Sequence, residues 1–357
     1  MFGRDGIIMK KSLAIFLSLL LMILVVPSIE VNATGENHLY YQTIKCKEAD
    51  NYVKETLGDF INYESNLVML NVEDIELGQG IYIANYENEN LLPSFMYPVF
   101  VNNILSYIYR IYDDGTGNYV GIFSKNYADI VLKNAGDSVE NAPLFVESNG
   151  NELLVTEYEN KVVSPSHFGT EIDYKQIDSE KQKRKTSLSI VDIREENEFD
   201  IKKNTKTYYW TFDINIKETQ GSKPWCAAYV TATALRYKTG QDIRASHIMS
   251  YYGKGSNDSC SIDMIRGYSS MKSVKFDGTY SGVISNSNLH GNLRGMNPVY
   301  GGYSFNIGNH ALLIHGISDN ARLVWNPWYS HSEWTLSSNT YKANGTTFTM
   351  YRYGTFF

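Results

Sequence analysis

Cysteine is scarce: the 357-residue chain has three, Cys46, Cys226 and Cys260. A disulfide-stapled scaffold needs many cysteines in a short chain, so that class is excluded. The odd count leaves at least one thiol free, and a Cys226 to Cys260 bridge with Cys46 left over is the pairing to weigh against a free Cys226. A long hydrophobic run is missing too. The most apolar stretch, Leu13 to Val26, is shorter than the roughly 20 residues a membrane-spanning helix needs. It follows Lys10 and Lys11, stops at Pro27 and precedes the small-residue site Val31-Asn32-Ala33. That order reads as an export signal over residues 1–33, whose removal gives a secreted product with no membrane attachment. Met9, directly before the lysines, offers a second start.

What is present is divided unevenly. Residues 1–204 carry 18 Lys and Arg against 31 Asp and Glu, whereas residues 205–357 carry 14 against 8. An acidic first part and a basic second part can attract one another, although net charge does not set a fold. Between them, residues 179–206 are charged, lack apolar periodicity and include Lys181-Gln-Lys-Arg-Lys185, which reads as a cleavable linker. Residues 36–64 read as helical. Beyond them come short strands rich in Tyr, Val and Ile, with hairpins around Asp113-Asp-Gly-Thr-Gly-Asn118 and Ser148-Asn-Gly-Asn151. Residues 34–178 are therefore expected to form a small, mostly antiparallel β domain, its tyrosines serving sheet packing.

Residues 207–357 open differently. Cys226 to Thr239 is built of small and apolar residues, preceded by Pro224 and stopped by Gly240, which predicts a helix. Helical stretches are expected at Ile243–Tyr252 and Ser261–Met271, then strands at Val299–Tyr303, His310–Gly316, Leu323–Asn326 and Thr347–Arg352. Helices first and strands second indicate an α+β domain, with a helix packed on a bent antiparallel sheet.

Several residues there are suited to one chemistry. A thiol at a helix start is favoured as thiolate by free backbone N–H groups, and Cys226 occupies such a position, although an inert core cysteine would look the same by itself. Gln220, six residues upstream, has Gly221 beside it to let the chain turn, so its amide and the Cys226 N–H can aim at one oxygen. His310 opens an apolar strand behind Gly308-Asn309 and can act as the base. His315, on the opposite face by alternation, is expected to be structural, and His247, His290 and His331 have no comparable setting. Asn326, at the end of Leu323-Val-Trp-Asn-Pro-Trp328, can hold the imidazole in one tautomer, with Trp328 covering that bond from water.

The ordered set Gln220, Cys226, His310 and Asn326 resembles the papain superfamily, most closely the staphopains. The match rests on Ile216-Lys-Glu-Thr-Gln-Gly221, Trp225-Cys-Ala-Ala228, Gly308-Asn-His-Ala311 and Val324-Trp-Asn-Pro-Trp328. The resemblance implies a papain-like catalytic domain at 207–357 preceded by a barrel-like inhibitory pro-domain. It also implies a secreted cysteine endopeptidase made as a precursor, with Gln220 in the oxyanion hole, Cys226 as nucleophile, His310 as base, Asn326 as orienting residue and Trp328 in support. No metal or organic cofactor is expected. The partners expected are protein or peptide substrates and the chain's own pro-domain, and neither nucleic acid nor a membrane after signal removal. Two alternatives remain open: the same thiol chemistry aimed at peptidoglycan as a wall amidase or endopeptidase, and an inactive binding or adhesion protein.

Overall fold

Alternation decides the first element. Tyr40–Thr43 buries Tyr41 and Thr43 and turns Tyr40 and Gln42 outward, a period that a helix cannot satisfy, and the segment is strand β1 rather than the start of the expected helix. Helix α1 follows at Lys47–Ile61, where Ala49, Val53, Leu57, Phe60 and Ile61 recur at helical spacing and form its buried face. The computed structural model describes residues 38–61, 74–85, 91–148, 151–156, 159–164, 172, 174–175, 177–179, 188–195 and 207–357. The expected export signal and most of the expected linker lie outside the described residues.

Strands β2 (Ile75–Leu77), β3 (Ile81–Asn85), β4 (Ser94–Val101), β5 (Ile104–Asp113) and β6 (Tyr119–Ser124) come next. The short helix α2 (Ala128–Asn134) then leads to β7 (Leu144–Ser148), β8 (Asn151–Val155) and β9 (Asn160–Ser164). Both expected hairpins form, as the antiparallel pairs β5–β6 and β7–β8. The layer is not wholly antiparallel: β3 and β7 run parallel. A parallel neighbour requires a long crossover, and the intervening β4, β5, β6 and α2 supply it. Within the segment expected to be a cleavable linker, Ser189–Asp192 is strand β10 and pairs antiparallel with β1, Tyr40 opposite Asp192. Its only apolar residues are the adjacent Ile190 and Val191, between Ser189 and Asp192, and its partner is far away in sequence, so the pairing left little local trace.

The rest of the chain contains β11 (Tyr209–Thr211), α3 (Cys226–Thr239), α4 (Ala245–Tyr251), α5 (Ile262–Met271), β12 (Phe276–Ser281) and α6 (Asn286–Arg294). These lead into β13 (Val299–Phe305), β14 (Gly308–Ser318), β15 (Ala321–Trp325), β16 (Ser332–Thr335), β17 (Thr340–Ala343) and β18 (Thr346–Phe356). Helix α3 is buried at every residue from Ala227 to Arg236, and its alanines allow close approach to β14, α4 and α5. It ends where expected: Gly240 takes φ 68°, and its N–H donates to the Arg236 carbonyl at 2.8 Å. Ser261 and Ser285 cap α5 and α6 by accepting from the N–H groups of Met264 and Asn288.

The protein is thus a mixed helix and sheet structure, with most of its described strands in one sheet. Its path runs β12-β18-β13-β14-β15-β16-β6-β5-β4-β3-β7-β8-β9, with β11, β17 and β2 attached to β14, β18 and β4. The joint between the two halves is β16 on β6, Trp334 opposite Phe123 and Thr335 opposite Ile122, extended by the Leu336 N–H donating to Gly121 at 2.7 Å. Among the described residues no helix is long and apolar enough to cross a membrane.

Candidate active site

Four local decisions in the chain converge on one cavity. Pro224 and Trp225 end a loop and α3 begins at Cys226, which places the thiol among free N–H groups at the helix start. Strand β14 sets His310 as its third residue. Strand β15 stops at Trp325, and its antiparallel register with β14, Leu313 opposite Trp325, carries the next residues back alongside His310. Gly221, at φ 58°, turns the chain after Gln220, and the Gln220 N–H donates to Pro327 O at 2.8 Å, tying this loop to the Asn-Pro-Trp turn. The resulting cavity of about 420 Å³ is lined by Gln220, Cys226, His310 and Trp328, among others.

Asn326 lies behind that lining, 1% exposed. Its amide orientation is fixed by two contacts: Oδ1 accepts from the Trp328 N–H at 3.1 Å, and Nδ2 donates to the Tyr341 hydroxyl at 3.4 Å. Because Oδ1 only accepts, its 2.9 Å contact with His310 Nε2 requires that nitrogen to carry a proton. A neutral His310 then has its lone pair on Nδ1. Trp328 stacks on the imidazole at 4.4 Å between ring centres, and Phe348 packs at 5.4 Å, so the ring is confined and the Asn326 bond is covered from water.

The thiol is less simple than its place at a helix start suggests. Burial pushes Cys226 up from its ordinary value, and the N–H groups of Ala311, Ala227 and Cys226 itself pull in the other direction without overcoming it. The helix start alone does not hold this cysteine as thiolate. Cys260 lines the same cavity, and burial first, then the charge of Cys226, pushes its thiol up to about 12. Both are free thiols, as is Cys46.

Gln220 is 9% exposed; its Nε2 donates to Lys223 O at 2.5 Å, and its Oε1 is buried without a partner. One of its two amide N–H bonds is thereby used inside the loop. His315 lies apart from the cavity, with Nδ1 on Phe212 O and Nε2 on Ser332 Oγ, both at 2.7 Å, and burial pushes it down to about 4.

Other residues here carried no sequence signal for this role. Tyr341 and Glu333 form a layer behind Asn326: the Tyr341 hydroxyl donates to the Glu333 carboxyl, which also accepts from the Ser124 hydroxyl and, at 3.1 Å, from Asn126 Nδ2. A buried chain of hydrogen bonds therefore runs from His310 through Asn326, Tyr341 and Glu333 to strand β6 of the acidic half. Burial pushes Glu333 up, against the pull of these three donors. Tyr300 and Arg352 line the cavity on its other side. Among the described residues no group of three or more His, Cys, Asp or Glu is placed to hold a metal ion. In comparison with known proteins, no family model matches the chain, and no curated protein matches it in sequence.

Proposed function

We propose that the protein is a secreted cysteine endopeptidase of papain-like fold, made as a precursor, with residues 207–357 as its catalytic domain and residues 34–178 as its pro-domain. The observation that carries this reading is the His310 Nε2 to Asn326 Oδ1 bond under Trp328, in a cavity shared with Cys226 and Gln220. That bond leaves Nδ1 to take the Cys226 proton, giving a thiolate and an imidazolium whose opposite charges offset the cost of burying the thiolate. The sulfur then adds to a peptide carbonyl. The second N–H of Gln220 and the backbone N–H of Cys226 stabilise the oxyanion. His310 returns its proton to the departing amine, and water hydrolyses the thioester, restoring the thiol and releasing the acid.

The described part of the acidic half does not line this cavity. It abuts the site from behind, where Asn126, Tyr127 and Ile130 face Trp328 and Tyr329 across a second cavity of about 370 Å³. The pro-domain thus borders the turn that holds His310.

The test is casein hydrolysis by the chain, before and after nicking within residues 179–206 by trypsin that is then inhibited, for wild type and Cys226→Ala. Loss of a nucleophile removes the covalent route, so the variant should fall by at least about 100-fold. Equal rates in the two proteins overturn the reading.

A further inference from the structure

Resting on that reading, we infer that Arg352 makes the cavity selective for peptides carrying an acidic side chain close to the scissile bond. The lining includes two cations, Lys223 and Arg352, and no aspartate or glutamate. Lys223 sits at the exposed rim with its ammonium 4.4 Å from the centre of the Trp225 ring. Arg352 lies deeper. Its guanidinium carbon is 4.7 Å from the centre of the Tyr351 ring, and its stem runs over Gly302, where an added Cβ would come within 2.7 Å of Arg352 Cγ. Glycine at 302 therefore makes the space that Arg352 occupies.

The position is that of a receptor rather than a structural tie. Arg352 Nε is buried and has no hydrogen-bond partner, and no carboxylate among the described residues pairs with the guanidinium. The fully buried arginines differ from this half-buried one: Arg110 meets Glu147 and Glu152, Arg236 meets Glu218, and Arg322 donates to Asp319 O, Ala321 O and Asn286 Oδ1. A partly desolvated guanidinium with unused donors favours a planar carboxylate, which it can hold through two parallel N–H bonds. A lysine or arginine side chain in the same place would be repelled by both lining cations. The basic balance of residues 205–357, 14 cations against 8 anions, adds a weaker attraction of the same sign.

The experiment uses irreversible peptidyl vinyl sulfones in which Glu, Gln or Lys occupies, in turn, each of the three residues preceding the warhead. Labelling rates at Cys226 are read by mass spectrometry on the full chain, before and after tryptic nicking and without separating the halves. At one of the three positions Glu should exceed Lys by about tenfold, the size expected of one charge-assisted contact, and Arg352→Glu should invert that order. Arg352→Gln should abolish the preference without inverting it. Arg266→Glu, on the exposed face of α5, changes the net charge equally and should leave the preference as it was. Labelling of Cys226 with no Glu-over-Lys preference at any position, or with the same preference in Arg352→Gln, overturns the inference while leaving the peptidase reading intact. Modification by iodoacetamide but by none of the peptides overturns the peptidase reading, and this inference falls with it.

Discussion

Two buried arginines, one in each half of the molecule, solve the same problem in opposite ways. Arg110, on β5, is 1% exposed and lies against Glu147 and Glu152, while Lys342 from β17 reaches Glu147 at 2.9 Å, so two cations balance two anions. Burial alone would push Arg110 down, but Glu152 and its other partners outweigh it and push it up. Arg322, on β15, is fully buried among neutral oxygens, Asp319 O at 2.7 Å, Ala321 O at 3.0 Å and Asn286 Oδ1 at 2.5 Å, and burial pushes it down to about 10. Charge balance holds ionised groups firmly but makes each partner indispensable. Neutral acceptors hold the cation less firmly, and they survive its loss more easily.

This difference predicts unequal damage. Arg110→Met removes the cation shared by two buried carboxylates, leaving Glu147 with Lys342 and Glu152 with the neutral Tyr127 hydroxyl, and should cost about 3–5 kcal/mol in urea unfolding. Arg322→Met leaves only neutral acceptors and should cost about 1–2 kcal/mol. Equal losses in the two variants would break the contrast. Restoration of part of the loss by adding Glu152→Gln to Arg110→Met would sharpen it.

A second contrast concerns protons. His315 is held at about 4, against an ordinary value of 6.5. Between those values the unfolded chain binds a proton that the folded chain excludes, so acid favours unfolding. The stability present above pH 6.5 should fall by about 3 kcal/mol as the pH drops to 4. Urea midpoints taken across that range should lose this slope in His315→Asn, which can still hydrogen bond but cannot titrate there. Retention of the full slope in the variant would assign the acid sensitivity elsewhere, Glu333 being unable to supply it. Its carboxyl is pushed up, so its contribution is present at low pH and is lost as the pH rises.

The two halves were also unequally legible in the sequence. Helix α3 was readable to the residue because Pro224 and Gly240 punctuate an alanine-rich run, and β13, β14, β15 and β18 announced themselves by apolar strands between glycines and asparagines. Residues Gln220, Cys226, His310 and Trp328 meet in one cavity because each sits beside such a punctuation mark, where a chain end or turn aims a side chain outward. By contrast, β1 and β10 depend on a partner about 150 residues away, and the parallel β3–β7 pair depends on a crossover that no local pattern encodes. Tyr341 and Glu333 were silent for a similar reason: a tyrosine and a glutamate in short strands look like sheet surface until β6 closes over them. The continuity of the sheet through β16 and β6 was hidden too, since an edge able to pair looks no different in sequence from one that does.

The smallest effect probes this hidden layer. Tyr341→Phe removes one hydroxyl that accepts from Asn326 at 3.4 Å and donates to Glu333, and it changes neither the volume nor the apolar contacts of the ring with Phe348. Asn326 keeps its bonds to His310 Nε2 and the Trp328 N–H, so the imidazole should stay in the same tautomer but be held less firmly. A single neutral hydrogen bond contributes about 1 kcal/mol, which sets the ceiling at about a fivefold fall in kcat. KM should be unchanged, because Tyr341 is not part of the cavity lining. A merely structural tyrosine would instead lower the unfolding midpoint and leave kcat per folded molecule as it was. Measuring both on one preparation separates the two. If kcat does fall, the effect should be matched by Ser124→Ala with Asn126→Ala, which loosens Glu333 from the acidic half and tests whether the chain of hydrogen bonds carries restraint across the joint.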